Sequence, residues 1–177
     1  FRAGHGLPSG PLVGYTGRNG YEKELDAILD IAPDIDATVV FGGDGPARES
    51  LESRARDTGA DVRFLGFLDR DELPAFYASL DVFAFPSPVE TQGLVALEAN
   101  ACGTPVVGVD AGAIAETIVD GETEYDLQRG DTSGFRRETE RALAGSETLR
   151  DACLARRENV GVDAAVDALA AVYDSVR

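Results

Sequence analysis

The sequence predicts an α/β domain built on a doubly wound parallel sheet of about six strands, with helices on both faces. Three observations lead there. Short apolar runs recur along the chain, Gly and Pro punctuate their ends, and each gap between them is filled by a stretch of helix formers. Alternating β and α units of this length imply parallel strands joined by right-handed crossovers. Strands are expected at 12–16, 37–42, 62–66, 81–85 and 105–109, with a short sixth at 125–127. The first is the apolar run ending at Thr16. The second is followed by the turn GGDGPA, whose Pro46 suits the first turn of a helix. The fourth is Val82, Phe83, Ala84 and Phe85, terminated by Pro86 and Pro88. The fifth, Pro105 to Val109, follows a helix stopped by Gly103.

Helices are expected at 22–32, 46–58, 70–79, 93–102 and 113–119, then a helical tail from 132 to 176. In the helix at 93–102, Leu94, Val95, Leu97 and Ala101 read as a buried element. The tail's last helix, from about Val162, carries Val166, Leu169, Ala170, Val172 and Tyr173 at helical spacing. Two readings of that stripe stay open: a core helix, or a face exposed or packed on something else. We find no internal repeat, low-complexity tract or second domain boundary.

A chain of 177 residues, 44% of them hydrophobic, is long enough for one domain with a sizeable core. No run approaches the roughly eighteen apolar residues of a membrane span. The chain lacks methionine and has no signal-like segment at Phe1, so we expect an excised piece from which targeting is not readable, and we infer no secretion. Cys102 and Cys153 lack metal-ligand spacing and read as buried reduced thiols, which fits a cytoplasmic compartment.

The formal charge of −16 argues against nucleic-acid or anionic-membrane binding through a general basic surface. The acid is spread along the chain, and of sixteen basic residues only Lys23 is a lysine. That pattern suggests adaptation to high salt, where repulsion is screened. Against such a background the one retained lysine draws attention. Gly17, Arg18 and Lys23 follow the first strand, where Gly17 allows close backbone approach and two cations can bracket a diphosphate. The competing reading is an exposed loop whose cations pair with Glu22 or Glu24.

The most informative stretch is DVFAFPSPVETQGLVALEANACGTPVVGVD, where Glu90 and Glu98 stand eight apart across a strand-to-helix junction. Such junctions are where α/β folds bind ligands. The first amides of the helix, at Gly93, Leu94 and Val95, lack intrahelical partners and carry the positive end of its dipole, a cradle for phosphate. The glycine turn GGDGPA does not make a dinucleotide fingerprint, because Gly43 and Gly45 are followed by Arg48 and not by a third glycine.

The Glu-x7-Glu stretch resembles the donor-binding signature of the retaining glycosyltransferases of family 4, whose GT-B fold has two Rossmann-like halves. GYTGRNGYEKELDAIL is similar to the family's Gly-Arg…Lys phosphate element, and VVFGGDGPARESLESRA, VRFLGFLDRDELPAFYASLDVF and AGAIAETIVDGE follow the family order. The resemblance implies the C-terminal, donor-binding half of such an enzyme across 1–177, with the N-terminal acceptor domain absent. It implies transfer of a sugar, with retention, from a UDP- or GDP-type nucleotide-diphosphate sugar to an unknown acceptor, without metal or other cofactor. By the same resemblance Glu98 accepts from the ribose hydroxyls and Glu90 contacts the donor sugar. Arg18, Lys23 and the amides at Gly93, Leu94 and Val95 hold the diphosphate. Alone, the domain is expected to bind donor and transfer little; its partners are the nucleotide sugar and its own N-terminal half, through which peripheral association with the cytoplasmic membrane face would run.

Alternatives are a GT-B nucleotide-sugar epimerase or a binding module that has lost transfer. A metal site is not expected, since no Asp-x-Asp element ends a strand and His5 stands alone. Departures from the family pattern are Gln92 for a common aromatic, Ala113 and Ala115 within the turn that offers Gly112 and Glu116, Glu124 for a glycine, and Asn100 for a methionine, the last read as a packing variation. For Glu98 the competing reading is a half-buried helix glutamate paired with an arginine. His5 reads as a residue of a flexible amino-terminal segment.

Overall fold

A computed structural model describes residues 1–89, 93–109, 124–127 and 130–175. Its strands are β1 (Leu12–Thr16), β2 (Thr38–Gly42), β3 (Val62–Gly66), β4 (Val82–Phe85), β5 (Val106–Val109) and β6 (Glu124–Leu127). Every pairing is parallel, and the order across the six-stranded sheet is β3-β2-β1-β4-β5-β6. Each strand lies within a residue of its expected bounds. The strands read from apolar runs because both faces are covered, and β1, β2, β4 and β5 are buried along their whole length.

The helices are α1 (Asp26–Ile31), α2 (Arg48–Thr58), α3 (Leu73–Ser79), α4 (Leu94–Ala101), α5 (Thr132–Ala144), α6 (Ser146–Arg156) and α7 (Val162–Ser175). α1 packs with α2 and α5, while α4 packs with α3 and α6. The chain winds outward from β1 through β2 to β3, then restarts at β4 on the other side of β1. This reversal opens a crevice between the carboxyl ends of β1 and β4. Aromatic rings fill the core beneath it: Tyr15 stacks on Phe83 and Phe85, with centroids 6.1 and 6.5 Å apart.

Several expectations need correction. The helix expected at 22–32 is a 3₁₀ turn (Tyr21–Lys23), then α1, then a second 3₁₀ turn (Ala32–Asp34). The break falls at Glu24, whose φ of 50° is left-handed and cannot continue a helix. The tail is three helices, divided at Gly145 and by a 3₁₀ turn that ends in extended Gly161. Asp131 starts it by accepting from the Gly134 amide at 2.8 Å. In α7, Val166, Leu169 and Val172 are exposed, which decides against a core helix for that stripe. The helix expected at 113–119 lies outside the described residues.

The amino-terminal segment is anchored where a flexible one was expected. Arg2 donates to the Ser79 carbonyl (2.9 Å) and to Asp81 Oδ2 (3.0 Å), the oxygen that also accepts from the Leu12 amide. His5 stacks on Phe1 and lies 3.4 Å from Glu72. Cys153 is buried as expected, whereas Cys102 is half-buried; both are free thiols.

Candidate functional site

The crevice is walled on one side by the loop after β1. That loop packs backbone against backbone on the turn after β2: the Asn19 amide donates to Asp44 O (2.9 Å) and the Ala47 amide to Asn19 O (2.8 Å). The contact is close enough that a Cβ on Gly43 would lie 2.0 Å from the Gly17 carbonyl oxygen, and one on Gly45 would lie 2.5 Å from that of Asn19. The GGDG turn is therefore a brace for the β1 loop, a role its motif context did not reveal. Asn19 is fully buried, and neither its side-chain nitrogen nor its side-chain oxygen has a hydrogen-bond partner among the described residues.

Lys23 and Arg18 rise from this loop. Lys23 Nζ donates to the Val89 carbonyl at 3.1 Å, across the crevice to the loop after β4. The left-handed Glu24 that ends the 3₁₀ turn places Lys23 at that crossing. Arg18 is exposed and pairs with Glu22, so the pairing of the competing reading is present for this residue. A backbone hydrogen bond, aided by the charges of Arg18 and Lys23, holds the Glu22 carboxyl below its ordinary range.

The opposite wall is the start of α4. Gly93 caps it in the left-handed region (φ 60°), a conformation that glycine adopts without strain. The Ala96 and Leu97 amides both return to the Gly93 carbonyl (2.9 and 3.3 Å), which leaves the amides before them at the helix's positive end. Here the expectation of a buried face on Leu94, Val95, Leu97 and Ala101 is corrected. The buried positions are Ala96, Ala99 and Asn100, and Leu94 is 55% exposed at the rim. A helix apolar on nearly every side does not reveal its buried face by composition. Asn100 is a packing residue as expected, accepting from Cys153 Sγ at 3.3 Å.

Glu98 lies on the exposed side of α4 that faces α3. Its Oε2 accepts from the Tyr77 hydroxyl at 2.9 Å, and no arginine pairs with it among the described residues. Tyr77, Glu98, Arg70, Leu73, Pro74 and Cys102 line a groove of about 220 Å³. Burial, and then the Glu98 charge, push the Tyr77 phenol far above its ordinary pKa, so it remains a donor. Tyr77 escaped the sequence reading because LPAFYAS gives no sign that one of its core rings carries a working hydroxyl. A larger depression of about 400 Å³ lies at the other end of the sheet, between residues such as Pro11, Pro33 and Thr38, far from these groups.

Of the expected site residues, Gly17, Arg18 and Lys23 lie on the loop after β1, Gly93, Leu94 and Val95 lie at the start of α4, and Glu98 lies a turn further on, in the groove against α3. Glu90, Gln92, Gly112, Ala113, Ala115 and Glu116 lie outside the described residues; Glu124 opens β6. Among the described residues no cluster of His, Cys, Asp or Glu is placed to hold a metal ion, and no helix is long and apolar enough to cross a membrane.

Residues 10–145 match the family model described as "Glycosyl transferases group 1". The sulfoquinovosyl transferase SQD2 of Arabidopsis thaliana is 42% identical over 134 residues, covering 73% of this chain and 26% of the relative. A 2-deoxystreptamine N-acetyl-D-glucosaminyltransferase of Streptomyces fradiae is 36% identical over 155 residues, covering 82% of this chain and 37% of its own length. The chain thus spans well under half of these curated relatives. In structure it is similar to Anabaena HepE in complex with UDP, with a TM-score of 0.87 at 23% identity, covering 98% of this chain and 51% of that one. Sucrose-phosphate synthase from Thermosynechococcus elongatus gives a TM-score of 0.86 at 27% identity, covering 99% of this chain and 48% of its own.

Proposed function

This chain belongs to the group 1 glycosyl transferases, and we propose that it forms the donor-binding domain of a retaining, metal-independent transferase that uses a nucleotide-diphosphate sugar. One observation carries the proposal: Lys23, on the same loop as Arg18, reaches across the switch-point crevice to Val89, between β4 and α4 in the chain. Two cations and a set of helix amides around one cleft suit a diphosphate. Bound there, the diphosphate displaces Glu22 from Arg18, exchanging one anion for another of higher charge. In the reaction the bond between the anomeric carbon and the phosphate oxygen breaks, and its electron pair goes to the diphosphate. Arg18, Lys23 and the amides at Gly93, Leu94 and Val95 stabilise the charge that develops.

Glu98 accepts from the ribose hydroxyls, whose two donors match a carboxylate's two oxygens. Glu90 contacts the donor sugar and steadies positive charge at the anomeric carbon. The acceptor enters from an N-terminal domain, and closure of the two halves excludes water. That half would also carry peripheral association with the cytoplasmic membrane face, and this domain alone would transfer little. UDP in the HepE complex supports a uridine donor, and UDP is the first ligand to try.

The test is product analysis of the full-length protein with UDP-glucose and GDP-mannose, with and without EDTA. The expected product is a new glycoside with the donor's anomeric configuration, formed equally in EDTA. An inverted glycoside, a need for metal, an epimerised nucleotide sugar or no turnover would each contradict the corresponding part.

A further inference from the structure

We propose that Tyr77 is a positioning residue that fixes Glu98 for a ribose and so gives the site its preference for ribonucleotides over 2′-deoxynucleotides. The inference rests on the reading of Glu98 as the ribose ligand and deepens it. Tyr77 is 1% exposed, and its ring packs edge-on against Phe76 and Phe83, with centroids 5.8 and 5.6 Å away. Packing alone would be met by phenylalanine. The hydroxyl is the one polar atom of this side chain, and it is spent on a carboxylate of another helix (2.9 Å) when backbone acceptors abound in a core.

Tyr77 is itself held. The Thr104 hydroxyl, buried at the entrance to β5, donates to the Tyr77 carbonyl at 2.6 Å, and the Thr104 amide donates to Ala99 of α4 at 2.9 Å. The phenol is thereby clamped to the same sheet and helix that carry Glu98. A carboxylate offers about four lone-pair positions, and the phenol fills one on Oε2. Among the described residues no other hydrogen bond reaches the Glu98 carboxylate, which leaves Oε1 and the rest of Oε2 for a ligand. The phenol stays protonated and donates to the carboxylate, so Glu98 is kept as an acceptor in one rotamer before any ligand arrives. A prearranged acceptor rewards two adjacent hydroxyl donors and is left unmatched by a ligand that lacks one.

The test measures binding of UDP and 2′-deoxy-UDP to the native chain, Tyr77→Phe and Glu98→Gln, with circular dichroism melts to establish folding. The native chain is expected to prefer UDP about tenfold, the scale of one hydrogen bond to a charged group. Tyr77→Phe should cut the preference below about threefold, chiefly by weakening UDP. A structural role would weaken both ligands alike and leave the ratio intact. That result overturns the proposal while the ribose reading stands, provided Glu98→Gln abolishes the preference. If Glu98→Gln keeps the native preference, the ribose reading falls and the proposal with it. Should Tyr77→Phe fail to fold, Thr104→Val keeps the phenol and releases its backbone. A reduced preference there supports the clamp, and an unchanged one overturns it.

Discussion

Gly43→Ala tests whether the turn after β2 braces the β1 loop. Gly43 has a φ of +95°, and an added Cβ would meet the Gly17 carbonyl oxygen at 2.0 Å where ordinary contact begins at 3.4 Å. Both partners are backbone, so no side chain can swing aside, and the two loops must part by more than an ångström. The unfavourable φ costs about 1–3 kcal/mol. Parting the loops weakens the Asn19–Asp44 and Ala47–Asn19 bonds, each worth about 1 kcal/mol net. The sum is roughly 3–5 kcal/mol, and the displaced loop carries Arg18 and Lys23 with it. Gly59→Ala is the control, because Gly59 shares a positive φ (+71°) but has nothing within 4 Å of the added Cβ. It should cost about 1–2 kcal/mol, the conformational part alone. Urea unfolding of the native chain and both variants measures the difference. Equal destabilisation by the two substitutions would refute the bracing contact.

Three further outcomes are expected. Asn19→Leu replaces a fully buried amide that has no partner among the described residues with an apolar side chain of similar shape, and should raise stability by about 1–2 kcal/mol in urea unfolding; a loss of that size would show that the amide is satisfied. Asp61 accepts from Arg63 (2.6 Å) and Thr38 (3.1 Å), and the Arg63 hydrogen bond outweighs burial to hold its folded pKa below the ordinary 3.8. Its contribution is therefore present above about pH 4 and lost as pH falls through the lowered value, so Asp61→Asn should be less stable than the native chain at pH 7 and the gap should shrink as the pH falls below about 4, with a pH-independent gap as the contrary result. If the charge of −16 is an adaptation to high salt, thermal melts should move to lower temperature as sodium chloride falls from about 3 M to 0.1 M, and full stability in dilute buffer would count against it.

The sheet was legible because β1, β2, β4 and β5 are runs of four or five buried residues closed by Gly, Pro or a polar step, a pattern that survives without tertiary information. The two sides of the crevice were legible for a related reason: Gly17, Arg18 and Lys23 follow a strand, and the positive end of α4 follows another. Which wall each occupies required the strand order, since only the placement of β4 beside β1 opposes them. Other features depended on contacts between distant positions. Glu24 sits in a run of helix formers, and its left-handed turn is set by the loop around it. Glu98 and Tyr77 stand 21 residues apart, and no local spacing relates them. Leu94 reads as core by composition yet lies at the rim, because small Ala96 and Ala99 are what fit under α4.

The measurement that bears most directly on the donor site is a calorimetric titration of the chain, in molar salt, with UDP, GDP and ADP, repeated on Arg18→Ala and Glu98→Ala. The account predicts selective binding of one nucleotide, weakened at least tenfold in each variant while both keep the native melting transition. Binding that persists unchanged in both variants, or its absence from a folded native chain, would contradict the placement of the donor between the β1 loop and α4.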